Sequence, residues 1–146
     1  MKRTDSVFIA AVLVIGCAVG CSSAPGPAER QPGTLPAGTA QLSIDGINPV
    51  TPESVQCMTG ESLTMITTRG GTSETTAMVS TAKEPVVESI TIQDPEGFTG
   101  GYNRDLGGDA TVTMTGATYE ISGTARGYTP KAHQPDMRPF TLKVSC

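Results

Sequence analysis

Phe140-Thr141-Leu142-Lys143-Val144-Ser145-Cys146 alternates apolar and polar side chains without a break. Strict period two is the mark of a half-buried strand, because successive side chains point to opposite faces. Parity puts Cys146 on the apolar face with Phe140, Leu142 and Val144, so a bridge made by Cys146 is expected to lie inside. The same alternation recurs upstream. Val55 and Cys57 share a face, Val112 and Met114 alternate with Thr111, Thr113 and Thr115, and Tyr119 and Ile121 alternate with Glu120 and Ser122. Gly116-Ala117-Thr118 between the last two runs reads as a tight hairpin. Ile90 and Ile92 mark a strand after Pro85, and Leu42 and Ile44 mark one that ends at Asp45-Gly46. Further breaks fall at Gly70-Gly71, Asp94-Pro95 and Gly107-Gly108. The best helical candidate, Ser73 to Glu84, carries three threonines, a valine and an isolated Met78, so strand is preferred there too. Seven or eight short strands predict an antiparallel all-β domain over 41–146, built as a sandwich or as one curled sheet.

The start of the chain has a different character. Lys2 and Arg3 precede an apolar run from Val7 to Val19, which reads as a secretory signal peptide over 1–20. The run is 13 residues, short of the roughly 20 needed to cross a bilayer as a helix. Ala18-Val19-Gly20-Cys21 resembles the bacterial lipobox, whose cysteine receives a diacylglycerol thioether and becomes the acylated first residue. Ala18 stands where lipoboxes usually carry Leu, and Val14-Ile15-Gly16-Cys17 offers a second candidate. Cys21 is preferred, because Cys17 would cut the apolar run to 10 residues and because Ser22-Ser23 suits a mature start. An ordinary cleaved signal with a free or bridged Cys21 is the plain alternative. One acyl chain binds membranes only marginally, whereas two or more anchor stably. The expected location is therefore the extracytoplasmic side of the cell membrane, reached through a covalent lipid anchor.

From Ser22 to Ala40 the sequence is dominated by Pro, Gly, Ala, Ser and Thr, with prolines at 25, 27, 32 and 36. This stretch, with the acylated cysteine, makes up a disordered linker over 21–40, able to reach roughly 60 Å if fully extended. Thr34 and Thr39, beside Pro and Gly, are candidate O-glycosylation acceptors; a bare spacer is the equal alternative.

Removal of 1–20 would leave eight basic against 13 acidic residues, a net charge of −5, and no Lys/Arg cluster. Nucleic-acid binding, which rests on neutralising phosphates, is not expected. Cysteine arithmetic then leaves Cys57 and Cys146, whose single possible pairing spans 89 positions. Chain entropy sets the gain from so long a loop at about 4.5 kcal/mol at most. Neither CxxC spacing nor a second histidine exists to make the pair a metal site.

Catalytic constellations are absent from the pattern. His133 lies in Thr129-Pro130-Lys131-Ala132-His133-Gln134-Pro135, a proline-hemmed loop, and no GxSxG supplies a nucleophile elbow. Asn103, Asp105 and Asp109 could approach a calcium ion, but the twelfth position of such a loop is Met114, and a turn is the ordinary reading. No catalytic residues, metal or cofactor are therefore assigned. Met58, Met65, Met78 and Met114 could line an adaptable apolar groove for a lipid or glycolipid, though methionine more often fills a core.

Taken together, Gly20-Cys21-Ser22-Ser23, Ile44-Asp45-Gly46, Val55-Gln56-Cys57, Gly101-Tyr102, Tyr119-Glu120-Ile121-Ser122-Gly123-Thr124-Ala125 and Val144-Ser145-Cys146 resemble, in order, the mycobacterial 19 kDa lipoprotein antigen (LpqH-like) family. The resemblance implies an acylated, exported, non-enzymatic surface antigen. It also implies recognition of the acylated N-terminus by host innate lipopeptide receptors, with roles in adhesion and in glycosylation. The linker here is richer in proline than the family's threonine-rich one and carries Glu29 and Arg30. Fold likeness alone transfers no biochemical activity. The leading expectation is an interaction lipoprotein, with a lipid or glycolipid carrier as the alternative.

Overall fold

The computed structural model describes residues 29–94 and 96–146. The signal peptide and Cys21 lie outside the described residues. Among the described residues nine strands follow in order: β1 (Thr39–Ile44), β2 (Ser54–Thr59), β3 (Leu63–Gly70), β4 (Ser73–Ser80), β5 (Val86–Gln93), β6 (Thr99–Asn103), β7 (Ala110–Thr115), β8 (Thr118–Tyr128) and β9 (Asp136–Ser145), with a 3-10 turn at Arg104–Leu106. They form one antiparallel sheet in the order β1-β9-β8-β6-β5-β4-β3-β2, with β7 also paired to β8. The choice between sandwich and curled sheet is thereby resolved in favour of the latter.

Cross-strand ladders explain the curl. Leu42 faces Leu142, which faces Ile121, which faces Val112, a run of inward apolar side chains across β1, β9, β8 and β7. From the other half of the sheet, Ile66, Ala77, Ile90 and Tyr102 form the equivalent run across β3 to β6. Each half has one apolar face, and burying both requires the sheet to roll onto itself. All eight side chains except Leu42 and Val112 are buried, and those two pack against the buried cluster.

Rolling brings β1 and β2, the two ends of the sheet, side by side. They share no ladder among the described residues; a bridge ties Leu42 of β1 to Val50 of the connection, and a disulfide ties Cys57 of β2 to Cys146 just beyond β9, the neighbour of β1. The half-cystine Cα atoms are 5.9 Å apart. The predicted pairing is therefore present, but not enclosed as the parity of β9 suggested. Cys57 is half-buried against the core and Cys146 is exposed, because the bridge sits at the end of the roll rather than within it.

Two strands went unread in the sequence, β3 and β6. The inward face of β3 is Thr64, Ile66 and Thr68, which hides the apolar alternation, and β6 is short and carries Gly100-Gly101 directly after Thr99. Those glycines serve a close crossing. A Cβ at Gly127 of β8 would stand 2.2 Å from the Thr99 carbonyl oxygen and 2.8 Å from Cζ of Phe98. The backbones of β6 and β8 approach too closely over Phe98 for any side chain.

The domain begins slightly before Gln41. Ala40 is fully buried, Gly38 donates its amide to the Ser145 carbonyl at 2.8 Å, and Leu35 donates its amide to Oγ1 of Thr118 at 3.1 Å. The last residues of the expected linker are thus fixed along the bridge end of the sheet.

Candidate functional site

At the opposite end of the roll the sheet does not close. β1 ends at Ile44, and the chain turns at Asp45 (φ 56°) and Gly46 (φ 68°), with the Ile47 amide donating to the Ile44 carbonyl at 3.1 Å. Two successive left-handed residues are what a tight primed turn requires, and Asp is among the few side-chain-bearing residues that accept that conformation. The connection then crosses the mouth of the roll and is pinned by reciprocal hydrogen bonds between Leu42 and Val50, 2.9 and 2.7 Å long.

Beneath it lies a cavity of about 290 Å³. Its inner surface is mostly apolar: Ile92, Phe98 and Thr75 are buried, and Leu42 and Ile44 complete the wall. Ile47 and Val50 on the connection are 67% and 68% exposed, so the apolar lining continues outward onto the rim. Asp45, Asn48, Gln93, Asp94 and Arg138 supply the polar part. Arg138 donates from Nη1 to Oδ2 of Asp45, and its Nε, buried and without a hydrogen bond of good geometry, lies 3.1 Å from Oδ2 of Asp136. The hydrogen bond and charge of Asp45, then Asp136, hold the guanidinium pKa above its ordinary value. Concave, mostly apolar pockets with a few convergent polar groups are the usual form of small-molecule sites.

A larger groove of about 690 Å³ runs over the outer face at Gly101, with Leu106, Tyr128 and Met137 exposed along it. Its lining is more polar than that of the mouth, and buried side chains contribute less of it.

The methionines do not build the expected groove. Met58, Met65 and Met78 stand opposite one another on β2, β3 and β4, one position out of phase with the buried Ile66 and Ala77, and so point away from the core. Met114, 44% exposed, pairs with Tyr119 on β8. None lines the cavity at the mouth. That site draws on five separated stretches, and of its residues the sequence pointed only to strand, turn or loop roles for Leu42, Ile44, Asp45, Ser73, Thr75, Ile92, Asp94 and Thr129. Arg138 and the exposed Ile47 and Val50 carried no periodic signal.

Other singled-out residues serve local structure. Asn103 Oδ1 accepts the Asp105 amide at 3.0 Å, and Asp109 Oδ1 accepts the Thr124 hydroxyl at 2.9 Å. His133 is exposed in the loop before β9. Among the described residues no three His, Cys, Asp or Glu side chains are grouped to hold a metal ion. The Thr34 and Thr39 hydroxyls, both half-buried, donate to the Gln31 and Pro36 carbonyls at 2.7 Å. No helix among the described residues is long and apolar enough to cross a membrane.

The sequence pattern of the Mycobacterium 19 kDa lipoprotein antigen family matches residues 33–146, the whole of the rolled sheet and its fixed approach. The chain is 31% identical to lipoprotein LpqH of Mycobacterium tuberculosis strain H37Rv over 161 aligned positions, covering 100% of this chain and 99% of that one. It is also 31% identical to lipoprotein LpqH of Mycobacterium avium, covering 94% of this chain and 91% of that one.

Proposed function

Because the chain belongs to the mycobacterial 19 kDa lipoprotein antigen family, we propose that it acts as a non-enzymatic, lipid-anchored module on the extracytoplasmic side of the cell membrane. Residues 1–20 are its signal peptide, Cys21 carries the acyl groups, and the stretch up to about Thr34, ahead of the segment fixed to the sheet, is the tether. The observation that carries this reading is Gly20-Cys21 at the end of a short apolar run, in a chain whose relatives are named lipoproteins. Its acylated N-terminus is what a host lipopeptide receptor would engage, and the β domain offers surface for envelope contacts. Thr34 and Thr39 are the linker positions proposed for glycosylation.

Membrane fractionation tests the anchor. Wild-type protein should stay with membranes through high-salt and alkaline washes, while Cys21→Ala should appear in the wash. A Cys21→Ala chain retained as firmly as the wild type overturns the reading. Intact mass of the extracted protein would report acyl number and any sugar on the linker together, and a lipopeptide-receptor reporter should respond to the wild type alone.

A second reading, a carrier for a lipid or glycolipid, is favoured by one specific observation: the apolar cavity at the mouth, whose lining runs on to exposed Ile47 and Val50.

A further inference from the structure

We infer that the mouth of the rolled sheet takes one hydrocarbon tail of an amphiphile whose head is uncharged and hydroxyl-bearing, as in a glycolipid, rather than an anionic lipid. The inference rests on the carrier reading and adds the class of head group and the number of tails.

Size limits the tail. An engineered cavity of about 150 Å³ lined by Leu, Ile and Phe stays dry and holds benzene. The mouth, at about 290 Å³ and with Leu, Ile and Phe among its lining residues, has room for one chain but not for two side by side. Such a chain would lie against Ile92 and Phe98 and cover Ile47 and Val50, which are otherwise apolar surface left to water.

Charge selects the head. Asp45 and Asp94 stand at the rim with a single cation, Arg138, and that cation already has Asp45 on Nη1 and Asp136 beside Nε. A carboxylate or phosphate arriving here would meet a net negative rim. The guanidinium charge it would seek is already offset by Asp45 and Asp136. A cationic head would be drawn by the same carboxylates but set close to Arg138, which opposes it. Hydroxyl groups meet neither obstacle. They donate to the carboxylates of Asp45 and Asp94 and exchange hydrogen bonds with the amides of Asn48 and Gln93, all of which line the opening.

The test uses the chain from residue 21 onward with Cys21→Ser, which keeps the whole described sheet and leaves no attached acyl group to compete. Octyl glucoside, octanoate and octyltrimethylammonium share a tail and differ in the head; each is titrated below its micelle concentration and followed by backbone amide NMR. Octyl glucoside should saturate with shifts centred on Val50, Ile92 and Phe98, at least tenfold more tightly than the other two. Asp94→Lys, at the rim, should move the preference toward octanoate. Thr75→Leu, which fills the floor, should abolish saturation, and Ile47→Asp on the exposed rim provides the same readout if the first variant does not fold.

Octanoate or octyltrimethylammonium binding as tightly as the glucoside would overturn the head-group inference while leaving the carrier reading in place. Failure of all three to saturate, or a tail affinity untouched by both Thr75→Leu and Ile47→Asp, would overturn the carrier reading along with it. Shifts at the same residues in the acylated wild type before any amphiphile is added would make the chain's own acyl group the occupant, and the inference would fall.

Discussion

Cys57 and Cys146 join β2, at one edge of the sheet, to the end of β9, which lies beside the other edge strand β1. Their bridge acts on the unfolded chain, by closing an 89-residue separation, and on the folded one, by holding β2 against the end of β9. Cys57→Ser, Cys146→Ser and the double variant should lose stability equally, by up to about 4.5 kcal/mol, in urea unfolding of non-reduced samples. Unequal losses would point to a second role for one of the sulfurs. Gly127 offers a test of another kind. An added methyl would meet backbone at 2.2 Å on one side and the ring of Phe98 on the other, and neither can move without unpicking β6. Gly127→Ala should therefore cost about 2 kcal/mol or more by the same measurement, at the upper end of what overpacking usually costs. A neutral Gly127→Ala would mean that the crossing of β6 and β8 is looser than described.

At the scale of elements, the turn after β1 shapes the mouth through Asp45, which combines a left-handed backbone with an ion pair to Arg138 on β9. Asn tolerates that backbone as well as Asp does, so Asp45→Asn removes the charge and leaves the turn. The two side chains remain about a third exposed, 28% for Asp45 and 33% for Arg138, so solvent screens the pair. The expected fall in melting temperature is small and shrinks as salt is raised; a large, salt-independent fall would show that the turn itself had failed. Elements also explain what the sequence could reveal. β9, β8 and β7 were legible because their buried faces are aliphatic or aromatic and their outward faces are Thr, Ser, Lys or Glu. β3 turns two threonines inward and β6 has two glycines, so neither carries an apolar rhythm. The methionines were misread for a related reason: in a strand, a shift of one position moves a side chain to the other face, and nothing local says which face is buried. The mouth was hidden because it exists only where separate turns converge.

The whole molecule has two unlike ends. At one, Thr39 pairs with Ser145, the Cys146 amide donates to the Ala117 carbonyl, and Leu35 and Gly38 hold the approaching chain against the sheet. At the other, β1 runs out at Ile44 beside Phe140 and the cavity opens. Six residues of β1, at about 3.3 Å each, separate them by roughly 20 Å. An acyl anchor at Cys21 would pull on the first end, and only residues 22–34 would lie between it and the first fixed amide. The membrane should therefore face the bridge end while the mouth points outward, where it would meet amphiphiles from outside rather than those of its own bilayer. With the acylated protein in vesicles that carry a quencher on the lipid head group, a fluorophore at Ala117 should be quenched more than one at Val50, and Cys21→Ser should abolish both signals. Stronger quenching at Val50 would mean that the domain lies mouth down; exchange would then be with the anchoring membrane itself, through the apolar rim of Ile47 and Val50.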